Sequence, residues 1–172
     1  MIAYIGRAEQ GELSVYQEPR KMGRSKLPHQ QKLHIWAEAA IPILQEVATG
    51  DDGYITYGDL ARLVVERTGR STTMETRLWI GKVLGMVLQR CRKRGLPVLP
   101  SLVVQADTGM VGMGFNYWLE LTEQEPQQDQ HALDFIAAIE RTKCFNTYGH
   151  PSRGAAGPTR TPLYKKKQCR SG

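Results

Sequence analysis

The predicted elements run in the order of a winged helix-turn-helix, which is a mainly α fold with a small β-hairpin (α+β). Two observations predict it. Apolar residues recur at helical spacing through the first half of the chain, and after Pro97 the period changes to a β-rich run followed by a glycine-rich one. The 172 residues, of which 41% are hydrophobic, suffice for one domain with tails and not for two large ones.

The first two helices are predicted from apolar spacing and from their end signals. Apolar residues from Leu33 to Val47 follow helical spacing, and Pro42 inside that stretch should kink the helix or split it in two. The second helix follows Thr56, whose side chain can act as its N-cap, and Gly69 should end it. Together they form the first half of the predicted domain.

A third helix and a β-hairpin complete the winged-helix order. The third helix spans about 75–94, and Gly95 should stop it. The run 98–104 predicts a strand that its prolines confine to an edge or a bend, and 105–115 supplies the turn and return strand of the wing. One more helix is expected over about 131–142.

Composition divides the chain into three parts. Residues 1–28 contain a short apolar start and then a polar, basic stretch, which predicts a flexible basic arm with at most one edge strand. Residues 29–148 hold the winged-helix domain with extra helices at its N- and C-terminal ends. Residues 149–172 are rich in Gly, Pro, Ser, Arg and Lys and offer little to bury, which predicts a disordered basic tail.

Charge is distributed in blocks along the chain. Lys and Arg number 23 against 17 Asp and Glu, which gives a net charge of +6 and a pI near 9.3. Basic residues dominate between 62 and 94 and again after 140, whereas 116–140 contains acids and no Lys or Arg. The basic blocks favour double-stranded DNA as a partner, and the acidic segment 120–140 could meet a protein partner of opposite charge.

Several classes of protein are excluded by the sequence. No run approaches the roughly 18 apolar residues of a membrane span, and no secretory signal is visible, so no membrane contact is expected. Three scattered cysteines without a CxxC pair predict free thiols in a reducing compartment, and hence a cytoplasmic location. The four histidines are dispersed, so neither a metal nor another cofactor is expected.

Four short motifs fall in one order along the chain. They are ITYGDLA (Ile55–Ala61), WIGKVLG (Trp79–Gly85), LPVLPSLVV (Leu96–Val104) and TGMVGMGF (Thr108–Phe115). In their order and spacing, the segment Gly53–Phe115 resembles the C-terminal winged-helix domain of alkylguanine-DNA alkyltransferases and of alkyltransferase-like proteins. The resemblance covers a little over a third of the chain.

The resemblance implies two contacts with DNA. In that family the tyrosine of the first motif helps to rotate a phosphate during base flipping, and it corresponds to Tyr57. The helix that carries the second motif enters the minor groove through small residues, which correspond to Gly81 and Gly85. The chain would therefore bind duplex DNA through its third helix.

The chain departs from the family at the residues that carry the family's chemistry. The family's active-site segment has a cysteine, a histidine and an arginine after a proline, whereas this chain has Pro100, Ser101 and Leu102. The arginine that the family inserts into the base stack corresponds to Leu78, with Arg77 one residue away. Suicide alkyl transfer needs a thiolate activated by a histidine, so no catalysis is expected.

The third helix carries a basic face opposite its apolar stripe. The candidate DNA-binding residues are Tyr57, Arg77, Lys82, Gly85, Gln89, Arg92 and Lys93. In this interpretation a non-enzymatic protein docks its third helix and wing on duplex DNA, and recognition of altered bases is a variant of the same function. The alternative is a protein–protein interaction module, in which the basic face is solvated and the glycines pack another helix.

Overall fold

The computed structural model describes residues 27–149 and 154–170, and helices make up most of them. In chain order the elements are α1 (His29–Thr49), β1 (Ile55–Thr56), α2 (Tyr57–Thr68), α3 (Thr76–Arg94), a 3₁₀ turn (Leu99–Leu102), β2 (Val103–Val104), a second 3₁₀ turn (Met113–Phe115), α4 (Asn116–Leu121), α5 (Gln130–Tyr148) and α6 (Pro162–Gln168). The predicted mainly α fold with a small β component is confirmed. Within the described residues no helix is both long enough and apolar enough to cross a membrane. The predicted N-terminal arm lies outside them, apart from its last two residues.

Helix α1 is the centre of the fold, and α2, α3 and α5 pack against it. It continues through Pro42 as one helix and is not split there. Trp36 on α1 is fully buried and stacks against Trp79 of α3, with ring centroids 4.3 Å apart. Its indole N–H donates to the Arg70 carbonyl at 3.2 Å, so the polar atom of this large apolar group is also satisfied. Burial of such a side chain stabilises the fold by about 1.5–3 kcal/mol, which fixes α3 on α1.

The ends of α2 and α3 form as the sequence predicts. Thr56 caps α2, because its hydroxyl accepts a hydrogen bond from the Asp59 amide at 3.2 Å and donates to the Asp59 carboxylate at 2.7 Å. Gly69 ends α2 and Gly95 ends α3, with φ of 61° and 64°. Glycine adopts this left-handed conformation at little cost. Gly69 and Gly95 therefore set where the two helices end, and α3 runs from Thr76 to Arg94 as one helix.

The two strands pair in parallel and do not form the predicted hairpin. Ile55 lies opposite Val103 and Thr56 lies opposite Val104. Of the predicted strand 98–104, only the last two residues are extended, and most of the others form a 3₁₀ turn. Pro100 within this run and Pro97 just before it have a fixed φ and no amide to donate, which disfavours strand pairing along the run. The sheet therefore joins the start of α2 to the middle of the chain.

The predicted return strand of the wing is replaced by side-chain hydrogen bonds. The Val111 amide donates to the Asp134 carboxylate at 3.0 Å, and the Gly112 amide donates to the Tyr57 hydroxyl at 3.2 Å. The side-chain amide of Gln130 donates to the Val111 carbonyl at 3.0 Å. Backbone groups that a hairpin would pair are thus already satisfied. A winged helix is not confirmed, and a tight turn followed by a 3₁₀ turn stands in the place of the wing.

The C-terminal tail is ordered over residues 154–170, where the prediction of disorder is wrong. Thr161 accepts a hydrogen bond from the amide three residues on, which caps α6, and its hydroxyl donates to the Gly109 carbonyl at 2.6 Å. Arg160 binds the Asp134 carboxylate on α5 at 2.6 Å. Threonine followed by proline is a typical start of a helix, so the sequence did contain a signal for α6.

Candidate nucleic-acid interface

Helix α3 carries six of the seven predicted DNA-binding residues. They are Arg77, Lys82, Gly85, Gln89, Arg92 and Lys93. With 3.6 residues per turn, the five from Lys82 to Lys93 project opposite the buried stripe of the helix, and we call this side the α3 face, whereas Arg77 in the first turn projects in a direction between those of Leu84 and Leu88. All but Gly85 are exposed. Tyr57 lies apart, as the first residue of α2.

Three cations of the α3 face are free to meet an external anion. Lys82, Arg92 and Lys93 are exposed and form no ion pair with any described residue. Two of them lie in the last turn of α3, where positive charge complements the helix dipole. No carboxylate among the described residues neutralises these three side chains, so their charges are available to an external anion.

The other two cations at this end of α3 are held internally. Arg90 and Arg94 both bind Glu38 of α1, at 2.6 and 2.7 Å. The hydrogen bonds from Arg94 and Arg90 lower the pKa of the Glu38 carboxyl below its ordinary value. The dense run of arginine and lysine at 90–94 is thus divided into a paired half and an unpaired half, which the sequence pattern does not show.

The two glycines on the exposed side of α3 differ in their surroundings. A methyl group at Gly81 would have no atom of another element within 4 Å, and the residue is exposed. A methyl group at Gly85 would touch the Tyr117 ring at 3.8 Å, an ordinary packing distance. Glycine in a helix costs about 0.5–1 kcal/mol relative to alanine. At Gly81 no contact within the described residues explains that cost.

Helix α4 covers part of the α3 face. Gln89 donates from its side-chain amide to the Tyr117 hydroxyl at 2.5 Å, and the same tyrosine ring lies over Gly85. Beyond it, an open groove is lined by Gln89, Arg92, Lys93 and Leu121. Sequence reasoning did not predict α4, so it did not foresee that Gln89 is tied to a neighbouring helix.

Tyr57 points beneath the segment that replaces the wing. Its hydroxyl accepts a hydrogen bond from the Gly112 amide at 3.2 Å, and burial raises the pKa of this phenol above its ordinary value. The tyrosine lines a cleft of about 40 Å³ together with Gly81, Gly85 and Gly114. This volume holds a few water molecules at most, so the cleft as it stands does not admit a base.

The resemblance placed the family's inserted arginine at Leu78, and the structure gives that position an exposed apolar side chain. Leu78 is 51% exposed on the α3 face. The neighbouring Arg77 is not free to take the role of the family's inserted arginine, because it pairs with Glu75 at 2.6 Å. This end of the α3 face therefore presents an apolar side chain, and its unpaired cations begin at Lys82.

The buried cysteines are poorly suited to nucleophilic chemistry. Cys91 and Cys144 are buried, and burial raises the pKa of both thiols, that of Cys144 to about 12. A buried thiol with a raised pKa stays protonated and is a weak nucleophile. Ser101 is also buried, with its hydroxyl 3.9 Å from the Cys144 sulfur. Within the described residues no three His, Cys, Asp or Glu side chains are placed to hold a metal ion.

No protein-family model, no curated protein and no solved structure matches this chain. The resemblance to alkylguanine-DNA alkyltransferases therefore stays a prediction from the four motifs.

Proposed function

We propose that this chain is a non-enzymatic protein that binds duplex DNA through the α3 face. The observation that supports this most is Gly81, an exposed glycine in the middle of a helix with open space above it. A glycine at such a position lets another backbone approach the helix closely. It lies beside Lys82, an unpaired cation, so the approaching backbone would be an anionic one. We place this function in the cytoplasm, because three scattered cysteines are typical of a reducing compartment.

The spacing of the unpaired cations suits a helix in a groove. Lys82 and Lys93 are separated along the axis by about 16 Å, at 1.5 Å per residue. We place the helix in the major groove, which is about 12 Å wide, and not in the minor groove that the resemblance implies. Cations at the two ends of the helix can then reach the phosphates on both sides. Such contacts supply affinity that falls steeply with salt and carries no sequence information.

The proposal is limited to unmodified duplex. Recognition of an altered, flipped base would need a pocket for that base. The cleft beside Tyr57 is about 40 Å³, which is far too small, and the tyrosine hydroxyl is engaged with Gly112. The segment 105–115 has no hairpin to lay along the duplex. We therefore assign binding to α3 and expect no preference for alkylated guanine.

A titration of fluorescent duplex at low salt tests the proposal. Lys82→Glu/Arg92→Glu should weaken duplex binding by about 100-fold, because two phosphate contacts become repulsive. Neither side chain pairs with a described residue, so the melting temperature should fall only slightly, through the lost interaction of Arg92 with the helix dipole. The control is Lys32→Glu/Lys143→Glu, which changes the net charge equally on α1 and α5. It should leave the affinity within about threefold, because distant surface charges are screened.

Two results would contradict the proposal. One is wild-type protein with no duplex affinity at low salt. The other is an equal loss of affinity in the α3 variant and in the control variant, which would show a general charge effect. An alkylated-guanine duplex measured beside the unmodified one should give the same affinity. A clear preference for the alkylated duplex would show that the protein recognises altered bases.

A second candidate function is protein docking through α5. Phe135 and Ile139 are 54% and 37% exposed and lie one turn apart on that helix, so they form a small apolar spot that a partner could cover. The acidic segment contributes less than its composition suggests, since Asp134 is buried and Glu140 pairs with Lys143 at 2.8 Å. Absence of duplex binding in the titration, together with retained folding, would favour this candidate.

A further inference from the structure

Two arginines share a single buried carboxylate where α5 meets the C-terminal tail. Asp134 is fully buried, and its two oxygens accept from Arg141 at 3.3 Å and from Arg160 at 2.6 Å. Arg141 is itself almost completely buried. One negative charge therefore faces two positive charges, and burial together with the nearby Arg160 lowers the pKa of Arg141 below its ordinary value.

Each nitrogen of the Arg141 guanidinium has one acceptor, which leaves some of its N–H groups available to a further one. The guanidinium donates to the Ser101 carbonyl at 3.0 Å, to the Thr159 carbonyl at 3.4 Å and to Asp134 at 3.3 Å. A guanidinium has five N–H groups, so two of them meet no acceptor among the described residues. Buried donors of a charged group are normally paired. These two N–H groups lack a partner of the kind that a bound anion would supply.

A cavity lies on the open side of this cluster. It has a volume of about 200 Å³ and is lined by Arg141, Arg160, Lys165 and Asp52, with apolar walls from Phe145 and Pro162. Lys165 forms no ion pair with a described residue and adds a third positive charge. Even with Asp52 and Asp134 counted, the cluster keeps an excess of positive charge.

We propose that this cavity binds a compact oxyanion of the phosphate class, carried by a small molecule. Phosphate fits because its oxygens can accept from Arg141, Arg160 and Lys165 together, and hydrogen bonds between charged groups are the strong ones. A cavity of about 200 Å³ holds such a group with a small apolar body against Phe145 and Pro162. None of these residues belongs to the α3 face, so the site is independent of the proposed DNA binding.

Thermal unfolding in sodium phosphate, compared with sodium chloride at equal ionic strength, tests the site. A ligand that binds the folded chain raises its melting temperature, so phosphate should raise it above chloride in the wild type. Phosphate also stabilises folded proteins by exclusion from their surface, so the part that reports the site is the part that the cavity lysine variant loses and its neighbour keeps. Lys165→Met removes a cation from the cavity and should weaken phosphate binding about tenfold. Lys166→Met removes the neighbouring exposed lysine, which does not line the cavity, and should leave binding unchanged.

A variant of opposite sign completes the test. Asp52→Asn removes a negative charge from the cavity and should tighten phosphate binding about threefold. The site is overturned if phosphate raises the melting temperature no more than chloride, if the two lysine variants behave alike, or if Asp52→Asn does not tighten binding. Duplex titration separates the two sources of phosphate. If Lys165→Met weakens duplex binding more than Lys166→Met does, the anion comes from DNA and the small-molecule assignment is wrong.

Discussion

The molecule has two basic regions that look alike in composition and differ in what their charges do. On the α3 face, Lys82 and Arg92 are exposed and unpaired, and they remain available to a partner. At the junction of α5 and the tail, Arg141 and Arg160 converge on Asp134 inside the fold. The first region presents its charges to solvent, whereas the second uses its two arginines to hold the C-terminal segment to α5, and only the excess positive charge beside the cavity is left for an anion. Net charge counts both regions equally and cannot distinguish them.

A matched pair of carboxylates sharpens the comparison. Glu38 and Asp134 each bind two arginines, but the Glu38 side chain is 50% exposed and that of Asp134 is fully buried. An exposed ion pair contributes little, since water and salt screen it. A buried one leaves an uncompensated charge when one partner is removed. Loss of the carboxylate should therefore lower the free energy of unfolding little at Glu38 and strongly at Asp134.

The largest expected effect follows from Asp134→Ala. Removing the carboxylate leaves the buried Arg141 without its charged partner and the Val111 amide without its acceptor. We expect the free energy of unfolding to fall by about 3–5 kcal/mol, measured by urea denaturation. Glu38→Ala is the control, and it should lower stability much less. Equal decreases in the two variants would break the distinction between the two regions.

Gly81→Ala should separate binding from stability on the α3 face. Because no other element lies within 4 Å, the methyl group should raise the unfolding free energy by about 0.5–1 kcal/mol through helix propensity. It should also weaken duplex binding about fivefold, by holding the DNA backbone away from the helix. Urea denaturation measures the change in unfolding free energy, and the duplex titration measures the change in affinity on the same sample.

Gly85→Ala is the matched control for that variant. Its methyl group would touch the Tyr117 ring at an ordinary 3.8 Å, and the ring already covers the position. Duplex affinity should stay near that of the wild type. If Gly81→Ala binds duplex as well as the wild type does, close approach of DNA at this glycine is wrong.

Among the test variants, Tyr57→Phe is expected to change duplex affinity least. Removing the hydroxyl leaves the Gly112 amide without its acceptor, which should cost about 1 kcal/mol of stability. Duplex affinity should change less than twofold, because the hydroxyl serves the fold. A large decrease in affinity with unchanged stability would return this tyrosine to the DNA contacts that the resemblance implies.

Local signals predicted the first three helices well, although α4 and α6 were missed. The cap at Thr56 and the stops at Gly69 and Gly95 depend on a few neighbouring residues, and all three are present. The basic face of α3 also follows from helical spacing alone. What could be predicted was therefore what short stretches of chain decide by themselves.

Long-range partners explain what could not be predicted. The wing fails as a hairpin because Asp134 and Gln130, from α5, bind the backbone at Val111. Two of the four cations at the end of α3 are bound by the single carboxylate of Glu38, which lies more than fifty residues earlier. No local pattern indicates either contact, and both alter the candidate site. Only the fold shows which cations remain unpaired.

The salt dependence of duplex binding tests the central claim most directly. Each phosphate that the protein no longer neutralises should make the slope of log K against log salt shallower by about 0.9. If the α3 face binds the duplex, Lys82→Ala/Arg92→Ala/Lys93→Ala should therefore have a slope shallower than the wild type by about two to three. An unchanged slope, with unchanged affinity, would show that these cations do not contact DNA and would contradict the proposed interface.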